Sequence, residues 1–246
     1  MTGKCRIMDH LPIIDGHLDT ILTSKIKLYH KVESTPANMQ AGNVQAAFYS
    51  LCPVNKPWLV KLFTRAWFSY VNSPRHGLMQ IKSIDDFDRA RQAGKIGAIL
   101  HYEGAGGIDD GFTLLEEGAR QGLRGLCITW AETNKFGHGA MFKGKQSSLG
   151  LTDPGKELVS RAERLGITVD VSHLNDPSFW DVVSVAKKPF IASHSNARAV
   201  CNHPRNLTDD QIKALAERGG TIGINFSIKF LDDGWKAAGR SGITFA

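Results

Sequence analysis

The stretch "GITVDVSHLNDPSFWDVVSVAKKPFIASH", residues 166–194, decides the fold of this 246-residue chain. Two short apolar runs, at 166–173 and 188–194, each begin beside Gly or Pro, as buried strands tend to do. Between them lies a helical segment for which the sequence predicts Asp176 as N-cap and Pro177 as first helical residue. A strand, a helix and a strand in this order predict two parallel strands joined by a crossover helix.

The same alternation of strand and helix runs through most of the chain. Short apolar runs predict five further strands, at 11–17, 44–52, 96–104, 124–130 and 220–226. Segments with recognisable helix ends predict four further helices, at 83–94, 113–122, 152–166 and 208–220. Residues 24–43 and 56–77 are predicted to form helix and loop between the first three strands. Strands that are apolar throughout and alternate with helices indicate a parallel sheet covered by helices.

Two architectures of this kind remain open, a doubly wound open sheet and a (β/α)8 barrel. No G-x-G-x-x-G follows a predicted strand, which removes the strongest argument for a nucleotide-binding open sheet. The seven predicted strands are one short of a barrel, and the 20 residues after Phe226 predict no helix followed by a full strand. We therefore expect residues 1–246 to form a single domain that lacks its eighth strand and is incomplete at its C-terminus.

Composition argues against several classes of protein. The 30 basic residues give a formal charge of +6 but are scattered, the longest basic run being Lys187-Lys188, so we expect no nucleic-acid partner. No apolar stretch is long enough to span a bilayer, and the first 12 residues lack the apolar core of a secretory signal. The four cysteines lie far apart without a C-x-x-C motif, which predicts reduced thiols and a cytoplasmic location.

Polar residues that can bind metals stand at the carboxyl ends of several predicted strands. They are His17, Asp19, Glu103, His173 and His194. In a barrel of parallel strands these ends form one face, where active sites are built. Imidazole and carboxylate donors suit Zn²⁺ or a similar divalent cation. Because five ligands exceed what one tetrahedral ion with an open position needs, we expect two ions that share a bridging carboxylate.

Each of these residues has a structural alternative. His173 and His194 could bond to the backbone at their strand ends, and Glu103 could interact with the dipole of a helix near the turn "EGAGG". His101, two residues before Glu103, is predicted to pack or to form hydrogen bonds inside the barrel. Four loop histidines are assigned no role: His10, His30, His76 and His203. The occurrence of five suitable residues at equivalent strand ends favours the metal site.

Five segments of the chain carry a family resemblance. They are "DGHLDT" (15–20), "HYEGA" (101–105), "DVSH" (170–173), "SHSNARAVCNHPRNLTDDQI" (193–212) and "GGTIGINF" (219–226). In this order they resemble the membrane (renal-type) dipeptidase family of zinc peptidases, in particular its bacterial members. The similarity spans nearly the whole chain, and the fourth segment is highly specific. The resemblance implies an α/β fold of the (β/α)8 TIM-barrel type found in metal-dependent hydrolases, with the eighth strand missing here.

The resemblance also implies the chemistry of the site. His17, Asp19 and Glu103 resemble the ligands of one zinc ion, and Glu103, His173 and His194 resemble those of a second. The resemblance therefore implies that Glu103 bridges two Zn²⁺ ions and is also the catalytic carboxylate. The implied activity is that of a metallodipeptidase, the hydrolysis of dipeptides by a metal-bound hydroxide.

Two residues are assigned to the substrate by the same resemblance. Arg205, in "HPRN", matches the arginine that holds the substrate's terminal carboxylate, a task that suits a planar guanidinium. Trp130 stands where well-known family members carry a histidine that contacts the substrate, but Trp cannot act as a base or carry charge. His138 is considered as a substitute for that histidine. The expected partner is a small dipeptide, and the family also suggests a homodimer.

A second departure from the family concerns the eighth strand, which carries an acidic residue that helps to position the metal-bound water. Neither Asp232 nor Asp233 has the context of that residue.

Two alternative functions stand beside dipeptide hydrolysis. One is another amidohydrolase-like hydrolase, a deaminase or lactonase, although such enzymes usually open with His-x-His and not with the His-x-Asp of residues 17–19. The other is a truncated, inactive homologue.

Overall fold

The structure is a computed structural model that describes residues 12–21, 34–141, 143–144 and 148–234. Its strands are β1 (Ile13–Leu18), β2 (Val44–Leu51), β3 (Leu78–Gln80), β4 (Ile96–Glu103), β5 (Leu123–Cys127), β6 (Thr168–Asp170), β7 (Ile191–Ala192) and β8 (Thr221–Ile222). Its α-helices are α1 (Pro36–Ala41), α2 (Pro57–Val71), α3 (Asp85–Gln92), α4 (Thr113–Gln121), α5 (Asp153–Arg164), α6 (Asp176–Val185) and α7 (Asp209–Glu217). Short 3-10 helices cover Pro74–His76 and Ile228–Phe230.

These strands form one parallel sheet in the order β1-β2-β4-β5-β6-β7-β8. The path contains the seven strands that the sequence predicts, in chain order, with helices between most of them. The predicted barrel-type α/β fold is thereby confirmed as a curled parallel sheet, and the seven strands of this path in the described residues are one fewer than in a complete barrel. Parts of two predicted segments, residue 11 of the first strand and residues 24–33, lie outside the described residues.

Strand β3 is the one element of the sheet that the sequence does not predict. It pairs with Ile96–Ala98, the first half of β4, while β5 pairs with Leu100–Glu103 in the second half of the same strand. Because β3 has only three residues and follows the left-handed Gly77, its sequence shows no alternation from which a strand could be recognised.

The start of α6 differs from the sequence prediction. Asn175, not Asp176, is the N-cap of α6, since its side chain accepts a hydrogen bond from the Ser178 amide. Asp176 lies one residue later and forms a double ion pair with Arg198. Helix α7 has the reciprocal capping box that Thr208 initiates. None of the helices in the described ranges is long and apolar enough to cross a bilayer.

Strand β4 separates two environments, and all eight of its residues are buried. Leu100 and Tyr102 pack in the main apolar cluster together with Trp67 of α2 and Leu115 of α4. Because side chains alternate along a strand, His101 and Glu103 point to the opposite, inner face of the curled sheet. The inner face of β4 is therefore the surface on which a polar site can be built.

Gly16 allows the first strand to approach the seventh. A Cβ atom at Gly16 would overlap with the carbonyl oxygen of Ser193, the residue directly after β7. The sheet is therefore curled far enough for β1 to reach β7. This approach brings the rings of His17 and His194, each one residue further along, to a centroid distance of 3.9 Å.

Replacement of this glycine should destabilise the fold. Gly16→Ala is expected to lower the free energy of unfolding by about 1–3 kcal/mol, as is usual when a methyl group is forced into a packed site. Urea denaturation followed by circular dichroism measures this. Gly42→Ala is the matched control, because a Cβ atom there first meets the Asn38 carbonyl oxygen at 3.4 Å. Equal unfolding free energies of the two variants would contradict the close approach of β1 and β7.

Candidate metal centre

The five residues predicted as metal ligands all lie at the carboxyl ends of strands. His17 is in β1 and Asp19 directly follows it, and Glu103 is the last residue of β4. His173 comes three residues after β6 and His194 two residues after β7. His173 has a φ of 75°, which is uncommon for a residue with a side chain and is typical of strained functional positions. The parallel sheet collects these ends on one face.

The structure brings the five side chains together around Glu103. The Oε2 atom of Glu103 lies 3.7 Å from His17 Nε2, which is itself 3.5 Å from Asp19 Oδ1. The Oε1 atom lies 2.8 Å from His173 Nε2 and 3.6 Å from His194 Nε2. The Nε2 atoms of His173 and His194 are 2.8 Å apart. Each oxygen of the Glu103 carboxylate therefore faces a different group of side chains.

The electrostatics of the cluster favour a charged carboxylate next to the neutral imidazoles of His173 and His194. Burial raises the pKa of Glu103, but the hydrogen bond with His173 and the nearby His17 outweigh burial and bring that pKa to about 2. Burial and the positive charge of Arg205 lower the pKa of His173 to about 4. Burial likewise holds the pKa of His194 well below its usual value. Near pH 7 these groups offer lone pairs and negative charge, as cation ligands must.

Two of the three imidazoles are held by serine hydroxyls on their other nitrogen. Ser50 Oγ lies 2.9 Å from His17 Nδ1, and Ser193 Oγ lies 2.7 Å from His194 Nδ1. His173 Nδ1 is buried and has no hydrogen-bond partner among the described residues. All three rings direct Nε2 into the cluster.

This donor set fits a divalent cation. Within the described residues, His17, Glu103 and His194 offer ligand atoms that lie within 4.8 Å of one another. Imidazole nitrogens and carboxylate oxygens are the ligands of catalytic zinc sites. Without a cation between them, a carboxylate and unprotonated imidazole nitrogens at such distances repel one another, so the arrangement is suited to enclosing positive charge.

Arg205 is a buried cation beside this cluster. Only 5% of it is exposed, and its guanidinium donates weak hydrogen bonds to the His194 carbonyl, at 3.2 Å, and to Ser195 Oγ, at 3.5 Å. Within the described part of the chain, no carboxylate lies within ion-pairing distance of it. A buried charge without a partner is unfavourable, which makes Arg205 a suitable receptor for an anionic group of a ligand.

The other residues considered for the substrate lie further from the cluster. Trp130 is 47% exposed, and its ring centroid is 6.3 Å from that of His173, so it can only form an edge of the site. His138 is buried and bonds through Nδ1 to Thr133 Oγ1 at 2.9 Å. The Asp233 carboxylate accepts hydrogen bonds from Cys201 and the Asn202 amide, away from the cluster.

A second group of polar residues lies beneath the cluster, and all of its members except His101 were missed in the sequence. It consists of Ser50, His101, Cys127, Asp170 and Ser193, which are all buried. Among them, His101, Cys127 and Asp170 have ligand-type atoms within 4.8 Å of one another. The prediction that His101 forms hydrogen bonds inside the barrel is confirmed. A sequence signal existed for two of the others, because Asp170 and Ser193 each come shortly before a predicted ligand.

Comparison with known proteins identifies relatives of this chain. A family model described as membrane dipeptidase (peptidase family M19) matches residues 2–243. An uncharacterized dipeptidase of Schizosaccharomyces pombe is 33% identical over 256 residues, which cover 92% of this chain and 61% of that protein. The chain spans about half the length of the curated relatives it matches, between 49% and 61% of the first five.

Two solved structures share the fold. Dipeptidase AC, a metallopeptidase of family M19, matches with a TM-score of 0.78 at 28% identity, covering 91% of this chain and 74% of that chain. A metallopeptidase from Rhodobacter sphaeroides matches with a TM-score of 0.77 at 26% identity, covering 91% of this chain and 76% of that chain. The latter structure contains a phosphinate mimic of the dipeptide L-Ala-D-Ala.

Removal of one imidazole should reduce the metal content of the chain. If Glu103 has a different ion on each oxygen, His173→Ala loses one of two bound equivalents, because only the His173 and His194 side of the carboxylate is affected. Elemental analysis by plasma mass spectrometry after gel filtration measures the stoichiometry. His76→Ala is the control, since its ring stacks on Tyr70 outside the cluster. Two equivalents retained by His173→Ala would contradict the assignment.

Proposed function

The chain belongs to the membrane dipeptidase family, peptidase family M19, and we propose that it hydrolyses dipeptides by means of two zinc ions bridged by Glu103. The observation that carries the proposal is the division of the Glu103 carboxylate. Its Oε2 atom faces His17, and its Oε1 atom faces His173 and His194. A carboxylate that offers each oxygen to a different group of imidazoles suits a bridge between cations about 3.5–4 Å apart.

Each ion has three protein ligands in this proposal. His17, Asp19 and Glu103 hold one ion, and Glu103, His173 and His194 hold the other. Three ligands leave a coordination position open, as catalytic zinc requires. When bound, such a pair of ions lowers the pKa of water towards neutrality and polarises a carbonyl oxygen. Glu103 would help to hold both ions, and its negative charge would reduce their mutual repulsion.

Arg205 binds the terminal carboxylate of the dipeptide. Its guanidinium is buried and has no carboxylate partner in the described residues, so a substrate carboxylate would supply the missing charge. The planar guanidinium can hold both carboxylate oxygens with parallel hydrogen bonds. Because these bonds fix one end of the substrate relative to the ions, the peptide carbonyl is oriented for attack.

Selection for dipeptides follows from the recognition of both ends of the substrate. With the carboxylate at Arg205 and the free amine directed towards the metal ligands, a longer peptide cannot place both of its ends at these two positions. Trp130 forms an edge of this space and can donate one N–H. The dipeptide mimic bound by the Rhodobacter sphaeroides relative supports this substrate class.

A cytoplasmic location and a homodimer stay predictions. The three cysteines in the described residues, Cys52, Cys127 and Cys201, are free thiols. Free thiols are usual in a reducing compartment, which supports the cytoplasmic proposal.

Substrate assays of the zinc-loaded chain test the proposed activity. L-Ala-L-Ala and L-Ala-D-Ala are expected to be hydrolysed, while a tripeptide and a lactone are not, and a chelator should abolish the reaction. Faster hydrolysis of the lactone would favour the amidohydrolase-like alternative. A zinc-loaded chain that hydrolyses none of these compounds would indicate an inactive homologue.

Removal of the guanidinium should weaken recognition of the dipeptide carboxylate. Arg205→Met is expected to lower kcat/KM for L-Ala-L-Ala about 10-fold to 100-fold, since hydrogen bonds to charged groups contribute about 1.5–3 kcal/mol. For the dipeptide amide, which lacks the carboxylate, wild type and variant should differ little. Arg164→Met, which removes an exposed arginine, is the control. An equal loss on both substrates would contradict the role of Arg205.

A further inference from the structure

A single carboxylate lies beneath the metal cluster and accepts an unusual number of hydrogen bonds. Asp170, the last residue of β6, is fully buried. Its Oδ1 atom accepts from the amides of Ser172, at 2.9 Å, and Ser193, at 3.0 Å. Its Oδ2 atom accepts from His101 Nε2 at 3.0 Å, from Cys127 Sγ at 3.1 Å and from the Ser193 hydroxyl. Two of these donors, Ser193 and His101, connect Asp170 to predicted metal ligands through further hydrogen bonds.

The shorter connection leads to His194. A carboxylate can only accept hydrogen bonds, so the Ser193 hydroxyl donates its one proton to Asp170. Ser193 Oγ must then act as acceptor towards His194 Nδ1, 2.7 Å away. His194 therefore carries its proton on Nδ1 and presents an unprotonated Nε2 to Glu103 and the metal cluster.

The longer connection leads to His17 through two residues. His101 donates from Nε2 to Asp170, so its neutral ring has a lone pair on Nδ1. The Ser50 hydroxyl then donates to His101 Nδ1, at 2.9 Å, and accepts from His17 Nδ1, also at 2.9 Å. With its proton on Nδ1, the neutral ring of His17, like that of His194, presents an unprotonated Nε2.

We infer that Asp170 is a positioning residue that fixes the tautomer and ring orientation of both His17 and His194 for metal binding. This inference rests on the proposed function for the identity of the cluster, but concerns residues to which nothing in that proposal assigns a role. Partners on the outer nitrogen of a ligating histidine fix its tautomer and raise its basicity. Here one buried carboxylate does this for a ligand of each ion.

The charge of Asp170 agrees with this role. Burial raises its pKa, but the hydrogen bond from His101 and the other donors outweigh burial and hold the pKa well below the usual value. Burial holds the pKa of the Cys127 thiol well above its usual value, so the thiol acts as a donor. The third imidazole, His173, has no partner on Nδ1 among the described residues and so stands outside this network.

Zinc affinities of three variants test the inference. Ser193→Ala interrupts the connection to His194, Ser50→Ala interrupts that to His17, and Asp170→Asn interrupts both. Competition with a chromophoric chelator gives the two dissociation constants for Zn²⁺. Each serine variant is expected to raise one of them about 10-fold to 100-fold, the usual effect of removing an outer partner of a metal ligand, and Asp170→Asn should raise both.

The His173→Ala background assigns each effect to one ion. The His173→Ala variant should retain only the ion at His17. In this variant Ser50→Ala is expected to weaken binding of the remaining ion, while Ser193→Ala leaves its binding unchanged. Thr64→Val is the matched control, because it removes a buried hydroxyl that bonds to Tyr102 on the outer face of β4. In the otherwise wild-type chain without metal, Thr64→Val and the serine variants should lower the melting temperature by similar amounts. Thr64→Val should nevertheless keep both zinc dissociation constants.

Wild-type zinc affinities in both serine variants would overturn the inference, even if Asp170→Asn fails to fold. A third zinc equivalent that is lost in Cys127→Ala would also overturn it, because His101, Cys127 and Asp170 would then be metal ligands themselves.

A wild-type chain that binds no zinc would overturn both this inference and the proposed function. If the affinities change as expected but no dipeptide is hydrolysed, the role of Asp170 stands and the dipeptidase activity does not.

Discussion

The carboxylate of Glu103 is the group on which the arrangement of the site depends. It is buried at the end of strand β4, and its two oxygens face imidazoles that arrive from strands on either side of β4 in the sheet. His17 comes from the first strand and His173 from the loop after β6. These side chains can meet only because the sheet is curled, and the curl depends on small residues such as Gly16 where strands approach closely.

The inner face of the sheet is built for charge and not for apolar packing. Glu103, Asp170 and Arg205 are buried charged groups that lie near one another. Each buried charge is unfavourable unless it is paired or hydrogen-bonded. Asp170 accepts hydrogen bonds from five donors, whereas Glu103 is surrounded by imidazoles and the Cys52 thiol, and Arg205 has only weak acceptors. In the proposed function, cations bind at Glu103 and an anionic group of the substrate binds at Arg205.

The sequence predicted the fold and the main side chains of the site for a simple reason. In parallel α/β folds, polar residues at the ends of apolar strands are brought to one face, so His17, Glu103 and His194 could be recognised without knowledge of register. The network around Asp170 could not, because His101 and Asp170 are 69 residues apart and meet only through the pairing of β4, β5 and β6. Likewise, the ion pair between Asp176 and Arg198 joins residues 22 positions apart, so the sequence alone did not show that Asn175 is the N-cap of α6.

Anomalous diffraction from crystals of the zinc-loaded chain tests the central claim most directly. Difference maps at the zinc absorption edge should contain two peaks about 3.5–4 Å apart, one beside each oxygen of Glu103. One peak should contact His17 and Asp19, and the other His173 and His194. A single peak, or peaks at a distance from Glu103, would contradict the account.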